Sequence, residues 1–223
     1  MDRIYYIGNR RRFYDMMETE SLAAIFAGEE LWKTGDEYYP FFADRNFVYL
    51  TGLKCKSAVL LAAKAANGQV SERLYLLPPD AQAERWTGVR AKPHEAAEKS
   101  GIEDIRLNRF EDDFSRLAAS GEYANLYLDL YRFDGNQPDR PSHRLLHAVQ
   151  RDFAYLQIKN AAELTGLLRL IKQPCEIEAL RRAEEKTRAG ILAMMRNSYP
   201  GKFEYQYKAD FDHALGQFGP EGA

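Results

Sequence analysis

The sequence predicts an α/β fold, a mixed β-sheet flanked by helices and followed by a helical extension. Three observations carry this. Residues 1–160 alternate short β-rich runs with amphipathic helical runs. Asn67-Gly68 sits between two apolar runs as a hairpin turn signal, so at least one strand pair is antiparallel. From Ala161 onward the strand signals stop and helical periodicity takes over.

The elements follow in order. Arg10–Glu18 reads as a helix, with Phe13, Met16 and Met17 on one side. Leu22–Ala27 is an apolar run closed by Gly28, a buried-strand pattern. Asn46–Leu50 reads as a second strand ended by Thr51-Gly52, and Ala58–Ala63 as a third. Arg73–Leu77 is stopped by Pro78-Pro79. Lys92–Lys99 is a helix ended by Gly101, Ile105–Leu107 a small strand and Phe110–Ala119 a helix. Asn125–Tyr131 is a strand from which Asp134-Gly135 turns the chain away. Pro141–Phe153 is an amphipathic helix carrying Leu145, Leu146 and Val149, and Tyr155–Ile158 is a last strand. Leu164–Ile171 is a short helix. Pro174 then takes a first-turn position with Glu176 and Glu178 behind it, where the helix dipole favours acids, and this helix runs to Pro200-Gly201. A last helix places Phe203, Tyr207, Phe211, Leu215 and Phe218 on one stripe before Gly219-Pro220. Such a stripe needs a partner surface: the helix pair either packs on the α/β domain or opens a further domain, and the latter is the expectation.

Composition excludes several classes. Of 223 residues, 31 are Lys or Arg and 33 are Asp or Glu, and a net charge of −2 argues against a dedicated nucleic-acid binder. The apolar runs fall short of the roughly 18 residues that a membrane helix needs. The opening MDRIYYIGNRRRFYDMM has basic residues without the apolar run or cleavage site of a secretory signal. Two cysteines, Cys55 and Cys175, lie too far apart for a CxxC site and are too few for a disulfide framework. The expectation is a soluble cytoplasmic protein without nucleic-acid or membrane partners.

Motifs that carry chemistry are sparse. Gly216-x-x-Gly219-x-x-Gly222 precedes no helix and lacks the Lys-Ser/Thr of a phosphate loop, so it reads as loop. Cys55 has no cation in its sequence pattern to activate it and reads as a small buried residue. His143 and His147 share a helix face, but Arg-Leu-Leu separates them where a zinc protease motif carries a Glu, so they read as a partly exposed face. Asp210 and His213 read as a solvated face. Asp129 in a strand, with Asp134 after it, reads as a strand and turn rather than as a hard-metal site. Two segments are more specialised. In DEYYPFFADRNFVYLTG (36–52), six of seventeen residues are aromatic, a mixture found both in interfaces and in cores. In ERWTGVR (84–90), a Trp flanked by Arg in a polar loop suits contact with a ligand or partner subunit, or a lid packed on its own domain.

These two segments, with EAAEKSGIEDI (95–105), LLRLIKQPCEIEALRRAEEKTRAGILAMM (167–195) and FEYQYKADFDHAL (203–215), resemble the proline-specific metallo-aminopeptidases and their creatinase and prolidase relatives. The likeness runs from about residue 10 to 221 in the family's order. The R-x-I-K-x-P-x-E-I-E-x-L-R-x-A run at Arg169–Ala183 resembles the junction between the family's amino-terminal and catalytic domains. The resemblance implies an amino-terminal α/β domain over 1–160, an interdomain linker helix over 161–173 and the first two helices of a truncated pita-bread catalytic domain over 174–223. It implies that the full-length enzyme holds two divalent ions, typically manganese, on two Asp, one His and two Glu, which share a hydroxide that attacks the bond before proline. All five ligands lie downstream of the second helix, so this chain is expected to hold no metal pair and to be inactive alone. The resemblance further implies a homo-oligomer in which Trp86 reaches a neighbouring subunit's active site, with Asp36 approaching the same site and Arg90 matching the motif's second basic position. There an indole wall shapes a short pocket and a carboxylate receives the amine of a peptide with proline second. Some relatives carry a functional Arg where this sequence has Ala161-Ala162, a departure in the substrate pocket. A free-standing, non-catalytic interaction module, or the same part of a prolidase- or creatinase-type hydrolase, is the alternative.

Overall fold

The computed structural model describes residues 1–219; Pro220 of the expected Gly219-Pro220 stop and Gly222 of the glycine cluster lie outside them. The chain falls into two compact units, Met1–Leu170 and the residues from Ile171 onward.

The first unit is built on strands β1 (Ser21–Phe26), β4 (Val59–Lys64), β5 (Val70–Leu76), β6 (Ile105–Leu107), β7 (Asn125–Leu128) and β8 (Gln157–Asn160), in the order β6-β5-β4-β1-β7-β8. A small hairpin, β2 (Trp32–Thr34) with β3 (Glu37–Tyr38), stands apart from this sheet. β4 is antiparallel to both of its neighbours, while β5–β6, β1–β7 and β7–β8 are parallel. Among the described residues, every strand of the main sheet except β4 therefore runs the same way. The Asn67-Gly68 turn closes the β4–β5 hairpin, with Gly68 at φ +82° where a side chain would be strained.

Alternation along the strands divides the core between two faces. Leu22, Ala24, Val59, Leu61, Leu126 and Leu128 pack against Phe110, Phe114 and Ala118 of α5 (Phe110–Ala119) and Val149 of α6 (Pro141–Asp152). The opposite face is closed by α1 (Arg3–Met16), α2 (Arg45–Thr51), α4 (Pro93–Ser100) and α7 (Ala161–Leu170), all of which pack with α1 or with one another. Phe13, Phe47 and Leu50 of this layer are fully buried.

One polar group organises that layer. Arg10, 2% exposed, forks onto Glu72 of β5 (Nε to Oε2 2.8 Å, Nη2 to Oε1 3.1 Å). Its Nη1 donates to the carbonyls of Leu50 and Ser100, at 2.8 and 2.9 Å. Those carbonyls belong to the last turns of α2 and α4, which have exhausted their intrahelical donors. Tyr14 adds a 2.7 Å hydrogen bond to Glu72, and burial together with that carboxylate pushes its hydroxyl well above the ordinary tyrosine range. The helix ends approach closely: a Cβ on Gly52, at φ +76°, would lie 2.4 Å from the Tyr6 ring.

The structure corrects three sequence expectations. Asn46–Leu50 is not a strand but part of α2, because Asp44 accepts from the amides of Asn46 and Phe47 and Gly52 terminates the turn in the left-handed region. The first helix starts at Arg3 rather than Arg10, capped by Asp2, whose carboxylate accepts from the Tyr5 amide at 3.0 Å. The loop expected around Trp86 is a helix, α3 (Ala81–Thr87), nucleated by the Asp80 cap.

In the second unit, α8 (Pro174–Arg196) opens with Pro at its first turn and a Gln173/Glu176 capping box, and α9 (Glu204–Gly216) follows. The two cross at Gly190, where a Cβ would meet Phe211 and Leu215 at 2.5 and 2.6 Å. Those two residues of the α9 stripe are thus covered by α8, whereas Phe203 is exposed and stacks on Tyr205.

Replacing Arg10 by Met strips Glu72 of its cation and leaves two helix-end carbonyls without their donor, and is expected to cost roughly 3–5 kcal/mol in denaturant unfolding; the exposed Arg11→Met control is expected to stay within about 0.5 kcal/mol. Gly190→Val forces α8 and α9 apart; faster proteolysis confined to the second unit is the expected readout.

Candidate functional site

The carboxyl ends of β1, β5 and β7 lie along one edge of the sheet, and the specialised segments leave from that edge. Residues 27–44 carry the β2–β3 hairpin, 77–92 carry α3 and 129–140 lead into α6. Open α/β sheets place ligand contacts on this edge because their connections are free to vary there.

Asp36 sits in the two-residue Gly35-Asp36 turn between β2 and β3 and is exposed. Gly35, at φ +53°, allows that turn, and its carbonyl accepts from Trp32 Nε1 at 3.0 Å. Leu31, Trp32, Tyr38, Tyr39 and Phe42 around it are also exposed. Trp86, on α3, is 88% exposed. The helix beneath it is held at its start by Asp80, whose Oδ1 accepts from the amides of Gln82 and Ala83, both at 3.1 Å. These bonds, the Ala83 amide foremost, and Arg90 hold the Asp80 carboxyl below its ordinary range.

Arg90 is turned the other way. Its Nη1 donates to the Pro78 carbonyl and its Nη2 lies 3.5 Å from Asp80 Oδ2. Beneath this segment is a cavity of about 260 Å³, walled by residues 87–91 on one side and by Phe41, Cys55, Lys56, Leu76 and Leu77 on the other. Cys55 is half-buried, and burial pushes its thiol up, which disfavours the thiolate.

A second polar group sits where β7 ends. Asp129, just past the strand rather than in it, accepts from Asn46 Nδ2 at 2.6 Å; Arg169 donates to Asn46 Oδ1 at 2.7 Å. Arg140 lies 3.2 Å from Asp44 and 3.9 Å from Asp129. Burial, then the neighbouring Asp129, raises the Asp44 carboxyl, against the helix-cap amides and Arg140. Arg140 already faces both acids, so the pair does not offer a cation site. Among the described residues, no group of three or more His, Cys, Asp and Glu side chains is placed to hold a metal ion. The donor set of a two-ion centre does not fit onto these residues. Asp210 is ion-paired with Lys202, and Asp212 with Lys208.

The two histidines of α6 differ from the shared, partly exposed face expected of them. His147 is exposed and lies 3.1 Å from Asp139. His143 is 4% exposed, and neither ring nitrogen finds a hydrogen-bond partner among the described residues. Burial, then Arg132 and Arg140, lowers its pKa, against weaker opposing effects from the Leu130 main chain and Asp139. Sequence periodicity could not separate the two positions, because which side of α6 is covered depends on the 129–140 segment.

The match to known proteins agrees with this architecture. Residues 6–127, more than half of the chain, match the family described as aminopeptidase P, N-terminal domain. The Xaa-Pro aminopeptidase of Escherichia coli K12 is 28% identical over 219 residues, covering 94% of this chain and 48% of the relative. Xaa-Pro aminopeptidase 3 of Homo sapiens is 26% identical over 210 residues, covering 86% of this chain and 39% of the relative. A structure assigned to aminopeptidase P from Bacillus anthracis superposes with a TM-score of 0.92 at 27% identity, covering 98% of this chain and 52% of that one. The chain belongs to the aminopeptidase P N-terminal domain family, and it spans about half the length of the curated relatives it matches. Among the described residues, no helix is long and apolar enough to cross a membrane.

His143 gives a pH dependence with a defined sign. Its folded pKa lies below the ordinary value of about 6.5, so the unfolded chain binds more protons between the two values. Its contribution is complete above about pH 6.5 and is lost as pH falls toward the folded value. In His143→Leu, the acid-side fall in stability is expected to become shallower in urea titrations between about pH 7 and pH 5; an unchanged slope contradicts this.

Proposed function

We propose that this chain is the amino-terminal part of a metal-dependent Xaa-Pro aminopeptidase, an enzyme that releases the residue standing before a proline at the start of a peptide. In this reading 1–160 is the amino-terminal domain, 161–173 the interdomain linker helix and 174–223 the start of the pita-bread catalytic domain. The two divalent ions, manganese, belong to polypeptide beyond these residues, and supply the activated water there. The protein is a homo-oligomer of the cytoplasm.

The chain's own part is to shape a substrate pocket in a neighbouring subunit. Trp86 supplies an apolar wall, Asp36 accepts the free amine of the peptide, and Arg90 belongs to the same surface. The observation that carries this reading is the position of Trp86. A side chain that contributes about 1.5–3 kcal/mol or more when buried stands 88% exposed on a capped helix. Large exposed aromatics of this kind mark contact surfaces.

In the catalytically complete protein, Trp86→Ala is expected to lower kcat/KM for Xaa-Pro peptides at least tenfold, about 1.4 kcal/mol, with no change in Tm. Mixing those subunits with subunits disabled at a metal ligand is expected to restore activity, since each supplies what the other lacks. The purified 223-residue chain with manganese is expected to release nothing from the same peptides; sustained metal-dependent release contradicts the proposal.

A further inference from the structure

We infer that Arg90 is a positioning residue for Trp86, a clamp that closes the segment bearing the indole and does not itself touch substrate. The inference rests on the proposed role of Trp86, but its structural half stands alone.

Every residue of α3 is exposed or half-buried, so no core packing fixes this helix. Seven residues are also too few for a helix to persist in water by itself. What holds it is polar. The Asp80 carboxylate uses both oxygens. Oδ1 caps the helix through the Gln82 and Ala83 amides, and Oδ2 faces Arg90. The Glu84 side chain returns to the Asp80 amide at 3.2 Å, completing a reciprocal cap. At the far end Gly88, at φ +83°, turns the chain back through Val89 to Arg90. The guanidinium of Arg90 then reaches across the base of the loop to the Pro78 carbonyl. It thereby joins residue 90 to residues 78 and 80, the two points at which the chain leaves β5 and enters α3.

The guanidinium is committed inward. Arg90 Nε is shut off from solvent and finds no acceptor among the described residues, while each terminal nitrogen makes one contact within the loop itself. The side chain is only 21% exposed, and its guanidinium faces the loop rather than a peptide arriving from outside. Trp86, four residues earlier, points outward. The two ends of the ERWTGVR segment thus divide the work, one presenting the indole and the other fixing where it is presented. A fork is required for this, because a lysine ammonium on a flexible stem does not span a carbonyl and a carboxylate with the same planar geometry.

The test is amide hydrogen exchange and the indole N–H order parameter of Trp86, measured by NMR on the 223-residue chain. In Arg90→Met, exchange at the Glu84 and Gly88 amides is expected to rise at least tenfold and the Trp86 order parameter to fall, with Tm unchanged. Arg90→Lys is expected to restore part of the protection. Asp80→Asn keeps the cap oxygen while removing the charge, and is expected to resemble Arg90→Lys. Unchanged exchange in Arg90→Met, or exchange in the unsubstituted chain already as fast as in an unstructured peptide, overturns the inference. In the catalytically complete protein, Arg90→Met added to Trp86→Ala is expected to cost no more than a further twofold in kcat/KM. Full additivity makes Arg90 an independent contact and overturns the positioning role. A Trp86→Ala variant with undiminished activity refutes the proposed function, while the exchange measurement still decides what Arg90 holds.

Discussion

A guanidinium buried between three backbone elements sets the conditions for the rest of this domain. Arg10 enters the layer of α1, α2 and α4 with a charge whose desolvation costs several kcal/mol, and the layer is tolerable because each of the three guanidinium nitrogens donates a hydrogen bond. The acceptors are not arbitrary. Two are carbonyls at helix ends that would otherwise be orphaned, and the third is a carboxylate on the central hairpin. One side chain therefore fixes where α2 stops, where α4 stops and how both sit on β5. The left-handed glycines Gly52 and Gly101 follow from that arrangement, because each helix must end and turn within a residue or two of the carbonyl that Arg10 holds.

With that face closed, the carboxyl edge of the sheet is left to carry everything variable. The helix bearing Trp86 and the segment before α6 are anchored by short polar devices at their bases, the hairpin bearing Asp36 carries one across its turn, and all three expose large apolar side chains. The devices repeat one logic. A capping aspartate, Asp44 or Asp80, uses one oxygen for helix amides and offers the other to an arginine from a later segment, Arg140 or Arg90. Local structure and loop placement are coupled through a single carboxylate, so the cap cannot be disturbed without releasing the loop.

Much of this was legible in the sequence. The strand runs at Leu22, Ala58, Arg73 and Asn125 stand because they are continuous apolar runs that only a sheet covered on both faces accommodates. The Asn67-Gly68 turn fixed the antiparallel pair. Asn46–Leu50 was illegible because five residues of mixed pattern suit a strand and one helical turn equally; the cap at Asp44 decides, and a cap is recognised only when the helix is already suspected. The same holds at Asp80, where two prolines and a Trp disguise a helix of about two turns as a loop. Trp86 stood out as a Trp in a polar segment, and Asp36 entered only through the family resemblance; the turn of Arg90 back onto its own loop and the burial of His143 depend on tertiary contacts that no local pattern contains. The likeness to the aminopeptidase P N-terminal domain, by contrast, rested on several motifs in order, and the family match over 6–127 agrees with it.

The central claim is that the indole on α3 belongs to a site assembled from another copy of the protein. A photoreactive amino acid placed at position 86 of the catalytically complete oligomer tests this most directly. The account predicts cross-links into the metal-bearing half of a different subunit, suppressed by a Xaa-Pro peptide. Cross-links confined to the amino-terminal domain of the same subunit, indifferent to peptide, would contradict it.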